Sequence, residues 1–191
     1  MELQAYLATL RKHLVAIIIA VVLGGATGLL LYWRTPPTYA SQVQFYVSTP
    51  LPDGTNPQSV GQFAQARVDS YVVLLSSEEL ASRVIRATGL DLDPSDVAQK
   101  ISAEAGVNTV LVNATVTDQN AERSLKIAQG VSTTFPKMVD ELDNAGRQNA
   151  LVVIHIVSGP TLLPGQVSPS LRLYLLLGLG AALVLGVGYA L

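Results

Sequence analysis

The sequence predicts an α+β domain held outside a membrane between two transmembrane helices, and three observations predict it. Two uncharged apolar runs lie near the ends of the chain, Leu14 to Trp33 and Leu173 to Leu191. Each is close to the roughly 20 residues that carry a helix across a ~30 Å hydrocarbon core. Between them lies nearly all of the charge, and apolar positions recur there with strand and helix periods in turn. The expected division is a cytoplasmic N-terminus 1–13, a first transmembrane helix 14–33, an extracytoplasmic domain 34–158, a proline-rich segment 159–172 and a second transmembrane helix 173–191.

The N-terminus opens with a short amphipathic lead, Leu3 to Leu10, followed by Arg11, Lys12 and His13. A signal peptide is the alternative reading of this end of the chain. The apolar run from Leu14 exceeds the 7–15 residues of an h-region, however, and Arg34-Thr-Pro-Pro-Thr after it offers no small-x-small cleavage site, which favours an uncleaved span. Arg11 and Lys12 place the N-terminus in the cytoplasm by the positive-inside rule, and Tyr32 and Trp33 suit the far interface. The centre is then extracytoplasmic, and the second span returns to the cytoplasm with Arg172 on its outer side. Both spans carry small residues at helical spacing: Gly24 and Gly28 form GxxxG, and Gly178, Ala182, Gly186 and Ala190 form an i, i+4 ridge. Such residues let helix backbones approach closely in a membrane, between the two spans or between subunits.

Within the centre, Tyr39 to Ser48 alternates with Val43, Phe45 and Val47 on one face, and reads as a strand. Leu51 to Gln58, with its prolines and Gly54, reads as a loop. Val60, Ala64, Val68, Tyr71, Val72 and Leu75 recur at helical spacing. Ser76 and Glu79 have capping-box spacing for a second helix that stops at Gly89, and Asp93-Pro94 starts a third, short one. Ile101 to Val107 and Val110 to Asp118 read as a hairpin around Asn108-Thr109, with Val110, Val112, Ala114 and Val116 facing a core and Leu111, Asn113, Thr115 and Thr117 facing away. Asp118 is the expected cap of a helix running towards Asp143 with a kink at Pro136. Leu151 to Val157, nearly all apolar, reads as a last strand, central or covered on both faces. The order βαββαβ is that of the ferredoxin-like split βαβ arrangement, which brings the start of the first strand and the end of the last to one edge of the sheet. Pro160, Pro164 and Pro169 then form a stiff, extended lead-in to the second span.

Chemistry is scarce. The chain has no cysteine, which removes disulfides, thiolate zinc sites and cysteine nucleophiles, and its two histidines cannot build a histidine-rich metal site. His155 reads as a core or edge histidine. Asp91, Asp93 and Asp96 lack the spacing of a calcium loop and read as caps and solvated acids. Asn113-Ala-Thr fits a glycosylation sequon but sits in a strand, and no phosphate-binding loop occurs. With 12 basic and 14 acidic residues there is no basic stripe for nucleic acid. No catalytic, cofactor or metal residue is expected, and the chain as given reads as no enzyme.

The two ends together resemble a known family. LQAYLATLRKHLVAIIIAVVLGGATGLLLYWRTPPTYASQVQFYVS resembles the start of the Wzz-type chain-length determinants, the polysaccharide co-polymerases, and LLPGQVSPSLRLYLLLGLG is similar to their proline-rich entry into the second span. The features are the basic pair, the Thr35-Pro-Pro-Thr-Tyr39 turn, Pro164, Val167-Ser168-Pro169, Gly178 and Gly180, and the likeness covers essentially the whole chain. It implies a homo-oligomer in the bacterial plasma membrane that sets, with a polymerase or exporter, how long a capsular, exopolysaccharide or other surface polysaccharide grows. The segments 51–90 and 118–143 are too short for the tall helical hairpin of longer members, which implies the compact Gram-positive form, working with a cytoplasmic tyrosine autokinase in cis or in trans. A natural continuation into such a kinase is the accompanying expectation. The alternatives are a two-span extracytoplasmic sensor, a membrane anchor and activator of a cytoplasmic kinase, and an envelope enzyme, which lacks an acid/base pair or nucleophile. The residues expected to matter are Pro164 and Pro169, which would fix the angle of the second span, and the ridge Gly178, Ala182 and Gly186, which would pack on the first span or on a neighbouring subunit.

Overall fold

The computed structural model describes residues 14–50, 57–107, 109–146 and 150–190, the side chains of 14–17, 57–60, 187, 189 and 190 excepted. In chain order its elements are α1 (Leu14–Arg34), β1 (Tyr39–Ser48), α2 (Pro57–Leu75), α3 (Glu78–Thr88), α4 (Pro94–Lys100), β2 (Ile101–Ala105), β3 (Leu111–Asp118), α5 (Ala121–Asp143), β4 (Val153–Leu162) and α6 (Leu171–Ala190). They fall into two units: α1 and α6, with the residues up to Pro37 and from Val167 onward, and a mixed α+β domain from Thr38 to Gln166.

The domain is built on one four-stranded sheet in the order β2–β3–β1–β4, with every neighbouring pair antiparallel. Alternation sends Val43, Phe45 and Val47 of β1 and Val112, Ala114 and Val116 of β3 to one face, where all six are almost fully buried. Helices cover that face through Val68, Tyr71 and Leu75 of α2, Leu80 and Val84 of α3, Val97 of α4, and Ile127, Val131 and Phe135 of α5. Phe135 is the hub, with its ring 5.0 Å from that of Phe45 and edge-to-face with Tyr71 at 6.1 Å. Each such side chain contributes roughly 1.5–3 kcal/mol by leaving water.

Helix ends follow local chemistry, with two shifts from the expected positions. Ser77, not Ser76, caps α3, its hydroxyl accepting from the Leu80 N–H, and α3 ends at Gly89 with φ +65°, a left-handed turn that glycine adopts without strain. Asp93 caps α4 ahead of Pro94 as expected. Asn120, not Asp118, caps α5 by accepting from the Arg123 N–H. Asp118 is instead drawn into an ion-pair cluster, and a residue so engaged is not free to cap. α5 continues through Pro136 to Asp143, and α2 already includes Pro57 and Gln58, which the sequence had assigned to a loop.

The last strand departs most from expectation. β4 begins at Val153, runs on through Gly159 and Pro160 to Leu162, and forms an edge of the sheet, with Ile156 and Val157 about half exposed. Its continuous apolar composition suggested a covered strand. Among the described residues only β1 pairs with it, however, and the peptide carrying Pro160 has no N–H to give to a second neighbour. His155 is accordingly exposed on this edge strand.

The other unit is a pair of long apolar helices. α1 has 21 residues and α6 has 20, about 30 Å each at 1.5 Å per residue, and each contains one charged residue, Arg34 and Arg172. Among the described residues, no helix is long and apolar enough to cross a membrane. Arg11, Lys12 and His13, the loop 51–56, Asn108, and the side chain of Ala190 lie outside the described residues.

Candidate functional site

Two surfaces stand out, one in each unit. In the helix pair, Gly24 and Gly28 of α1 meet Gly178 and Ala182 of α6. A Cβ built on Gly24 would overlap that of Ala182 and lie 2.5 Å from the Gly178 carbonyl oxygen; one on Gly28 would lie 2.6 Å from the Tyr174 carbonyl oxygen; one on Gly178 would overlap the Gly24 carbonyl oxygen. The backbones are therefore in direct contact, an approach only side chains this small allow. Gly186 is buried as well. At one end of the seam Tyr174 stacks edge-on against Tyr32, ring centroids 6.4 Å apart, and its hydroxyl lies 3.2 Å from the Thr35 hydroxyl. Away from the seam the helices present an apolar surface, with Ile18, Val22, Leu30, Leu176, Val184 and Leu185 all more than half exposed. That much contiguous apolar area is not tolerated by water and marks a surface meant for lipid or protein.

In the domain, among the described residues, no helix lies on the sheet face opposite the core. On it, Gln44 of β1 lies opposite Asn113 of β3 on one side and Ser158 of β4 on the other, while Gln42 lies opposite Thr115 and Thr161. The Gln44 amide donates to the Asn113 side-chain oxygen at 2.7 Å. Gln42, Gln44, Asn113, Ser158, Thr161 and Leu163 line a shallow groove of about 250 Å³. A register irregularity of the β1–β4 ladder falls between Gln42 and Phe45, opposite Gly159 at φ +81°.

The ionisable groups join elements to one another. Asp118, 2% exposed at the end of β3, receives the Asn120 N–H at 2.8 Å and the Arg123 guanidinium at 2.6–2.9 Å on one oxygen, with the Lys100 ammonium 3.2 Å from the other. Burial pushes its carboxyl up, but Arg123, the Asn120 N–H and Lys100 together outweigh burial and hold it below the usual carboxylate range. Tyr71 donates to Asp143 at 2.5 Å while Arg67 pairs with the same carboxylate at 3.0 Å. Burial and then the Asp143 hydrogen bond push the Tyr71 phenol well up, so it remains a donor at any physiological pH. Arg83 bridges Glu79 and Glu141, tying α3 to α5. Among the described residues no group of histidine and acidic side chains could hold a metal ion.

Of the residues singled out in the sequence, the structure brings Gly24, Gly28, Gly178 and Ala182 together in one seam. The prolines are spread: Pro160 lies inside β4, Pro164 follows it, and Pro169 precedes α6. Pro160 therefore belongs to the sheet, to which the chain is still held at Leu163, whose N–H donates to the Ala40 carbonyl at 2.8 Å. The Asp118 cluster and the groove were not expected. The cluster had no sequence signal, because Lys100 and Asp118 are 18 positions apart; the groove had one, the polar half of the Leu111–Thr117 alternation.

Residues 1–88 match the Wzz family model, described as chain length determinant protein. The chain is 24% identical over 195 residues to the probable capsular polysaccharide biosynthesis protein YwqC of Bacillus subtilis (strain 168), covering 99% of this chain and 75% of that one. It is 22% identical over 185 residues to the capsular polysaccharide biosynthesis protein CpsC of Streptococcus pneumoniae, covering 95% of this chain and 77% of that one. The family match spans α1 and the first part of the domain, and the two relatives extend the likeness to nearly the whole chain. The resemblance read from the two ends of the sequence is thereby supported: the chain is similar to the Wzz chain length determinants over its first 88 residues and to the two capsular polysaccharide biosynthesis proteins along nearly its whole length.

Proposed function

We propose that this protein is a membrane-anchored polysaccharide co-polymerase, a chain-length determinant acting in the biosynthesis and export of a capsular or other surface polysaccharide. The observation that carries the reading is the coincidence of the Wzz match, which covers α1, the turn after it and β1, with similarity along nearly the whole chain to two capsular polysaccharide biosynthesis proteins.

In this reading α1 and α6, with the apolar runs they carry, both cross the bacterial plasma membrane; their single terminal charges and their exposed apolar faces support it. The N-terminus is cytoplasmic and the domain extracytoplasmic in this reading, which Arg11 and Lys12 ahead of the first span support. The sheet order β2–β3–β1–β4 with antiparallel neighbours supports the ferredoxin-like assignment. The protein makes no glycosidic bond itself. It assembles with copies of itself and acts beside a polymerase or exporter and a cytoplasmic tyrosine autokinase. The Gly178–Ala182–Gly186 ridge holds the second span in that assembly, and Pro164 and Pro169 stiffen the approach to it.

Light scattering on the full chain in detergent or nanodiscs, corrected for bound lipid, tests this reading against a sensor. A single closed species on the order of six to ten subunits is expected. A monomer or dimer would count against a co-polymerase and favour a two-span receptor.

A further inference from the structure

We propose that the uncovered face of the sheet binds a segment of uncharged polysaccharide in the groove between Gln42, Gln44, Asn113, Ser158 and Thr161. The inference rests on the chain-length reading for the presence of a polymer, and on the groove for its chemistry. The lining consists of three amides, two hydroxyls and one leucine, with no ionised group. An anionic ligand would need a cation here, and the nearest charge along the register is the opposite one, Glu104, the cross-strand partner of Asn113 on β2. A carboxylate repels anions but accepts readily from sugar hydroxyls.

Amides and hydroxyls both give and accept hydrogen bonds, which is what a hydroxyl-covered ligand demands, since each sugar hydroxyl does the same. The bond from Gln44 to Asn113 fixes both side chains. Among the described residues it leaves the Gln44 oxygen as an acceptor beside the Asn113 N–H₂ as a donor, a pair suited to adjacent hydroxyls. One step further along the same face of β1, Tyr46 is 42% exposed and lies opposite His155 of β4, offering rings to the C–H face of a sugar.

The shape agrees with the chemistry. The groove follows the irregularity where β1 and β4 lose register, and such bulges recur next to binding sites because they re-aim side chains. At about 250 Å³ and open to solvent, it falls below the ~300–1,000 Å³ of sites that enclose a free small molecule. It suits one stretch of a long chain that continues beyond both ends.

The test places a photo-crosslinking amino acid at Gln42 or Ser158 of the full chain, in the membranes of cells making their polysaccharide. Val73, 73% exposed on α2, is the control position. Adducts that carry glycan and are shortened by glycosidase should form at Gln42 and Ser158, several-fold above Val73, and fall several-fold when Gln44→Ala and Asn113→Ala are added. Adducts to protein alone would assign the face to a second copy or another subunit and overturn the proposal, as would equal yields at Val73. Polymer length in the same cells separates the two levels. A length that responds to the wild-type chain without glycan adducts leaves the proposed function standing and removes the site, whereas a length that does not respond removes both.

Discussion

The contact between α1 and α6 is sharp enough to predict opposite outcomes for two glycines on one helix. Gly178 faces Gly24, and an added Cβ would meet the Gly24 carbonyl oxygen inside van der Waals contact, with Gly28 Cα at 3.2 Å and Gly24 C at 3.3 Å. All three are backbone atoms, so no side chain can swing aside. Carbon–oxygen contacts between helices settle at ~3.3–3.6 Å, so the helices must part by on the order of 1 Å. A gap of 0.5–1 Å forfeits about a quarter to a half of each dispersion contact along the seam. Gly178→Ala should therefore cost about 1–3 kcal/mol, the usual range for overpacking, and Gly178→Ile more. Gly180 has nothing within 4 Å, so Gly180→Ala and Gly180→Ile should be tolerated, the alanine even favoured by helix propensity. Titrating the full chain from mild detergent into SDS reads the difference through its single tryptophan, Trp33, near the end of α1. Equal midpoint shifts at positions 178 and 180, or a stabilised Gly178→Ala, would refute the backbone contact.

Three further substitutions probe the domain, each read by thermal unfolding of the full chain. Gly159→Ala should cost at least about 1–3 kcal/mol, because φ is +81° and the new Cβ would overlap the Gln42 carbonyl oxygen; an unchanged midpoint would contradict the geometry of the β1–β4 edge. Gly130→Ala forces a methyl to 2.7 Å from both Val84 Cγ1 and Thr88 Cγ2 where α5 crosses α3, so it should destabilise despite better helix propensity. Val84→Ala should then cost less in the Gly130→Ala background than it does alone, because it removes the methyl that the new one meets, and strict additivity of the two changes would argue against the contact. Asp118→Asn should cost about 2–3 kcal/mol near neutral pH by leaving Arg123 and Lys100 without their anion. Because the folded-state carboxyl is held below its unfolded value, near 4, its contribution is full above that pH and is lost as pH falls through the folded value. The gap between Asp118→Asn and wild type should therefore close on acidification; a gap independent of pH would show that charge at Asp118 is not what counts.

Much of this architecture was written in periodicity. β1 was legible to the residue because Val43, Phe45 and Val47 alternate with Gln42, Gln44 and Tyr46, and the helix from Ala64 to Leu75 because its apolar positions recur every three to four residues. The position of β4 was not legible, because a run such as Val152 to Val157 reads the same at a sheet centre as at an edge; only pairing with β1 alone distinguishes them. Caps slipped by one or two positions at Ser76/Ser77 and Asp118/Asn120, where two competent side chains stand close together and tertiary partners choose between them. The small residues of α1 and α6 were visible as spacing, but whether they faced each other was not, since the same spacing serves contact between subunits equally well. The polar groove needed the register of three strands, which joins residues as far apart as Gln42 and Thr161.

The most direct test of the central claim is the length distribution of the surface polysaccharide in cells from which this gene has been removed and then restored. Removal should broaden or shift the distribution while sugar polymerisation continues, and the wild-type chain should restore the original mode, which a Gly178→Ile chain would not. A distribution identical in the presence and absence of the protein would contradict that claim.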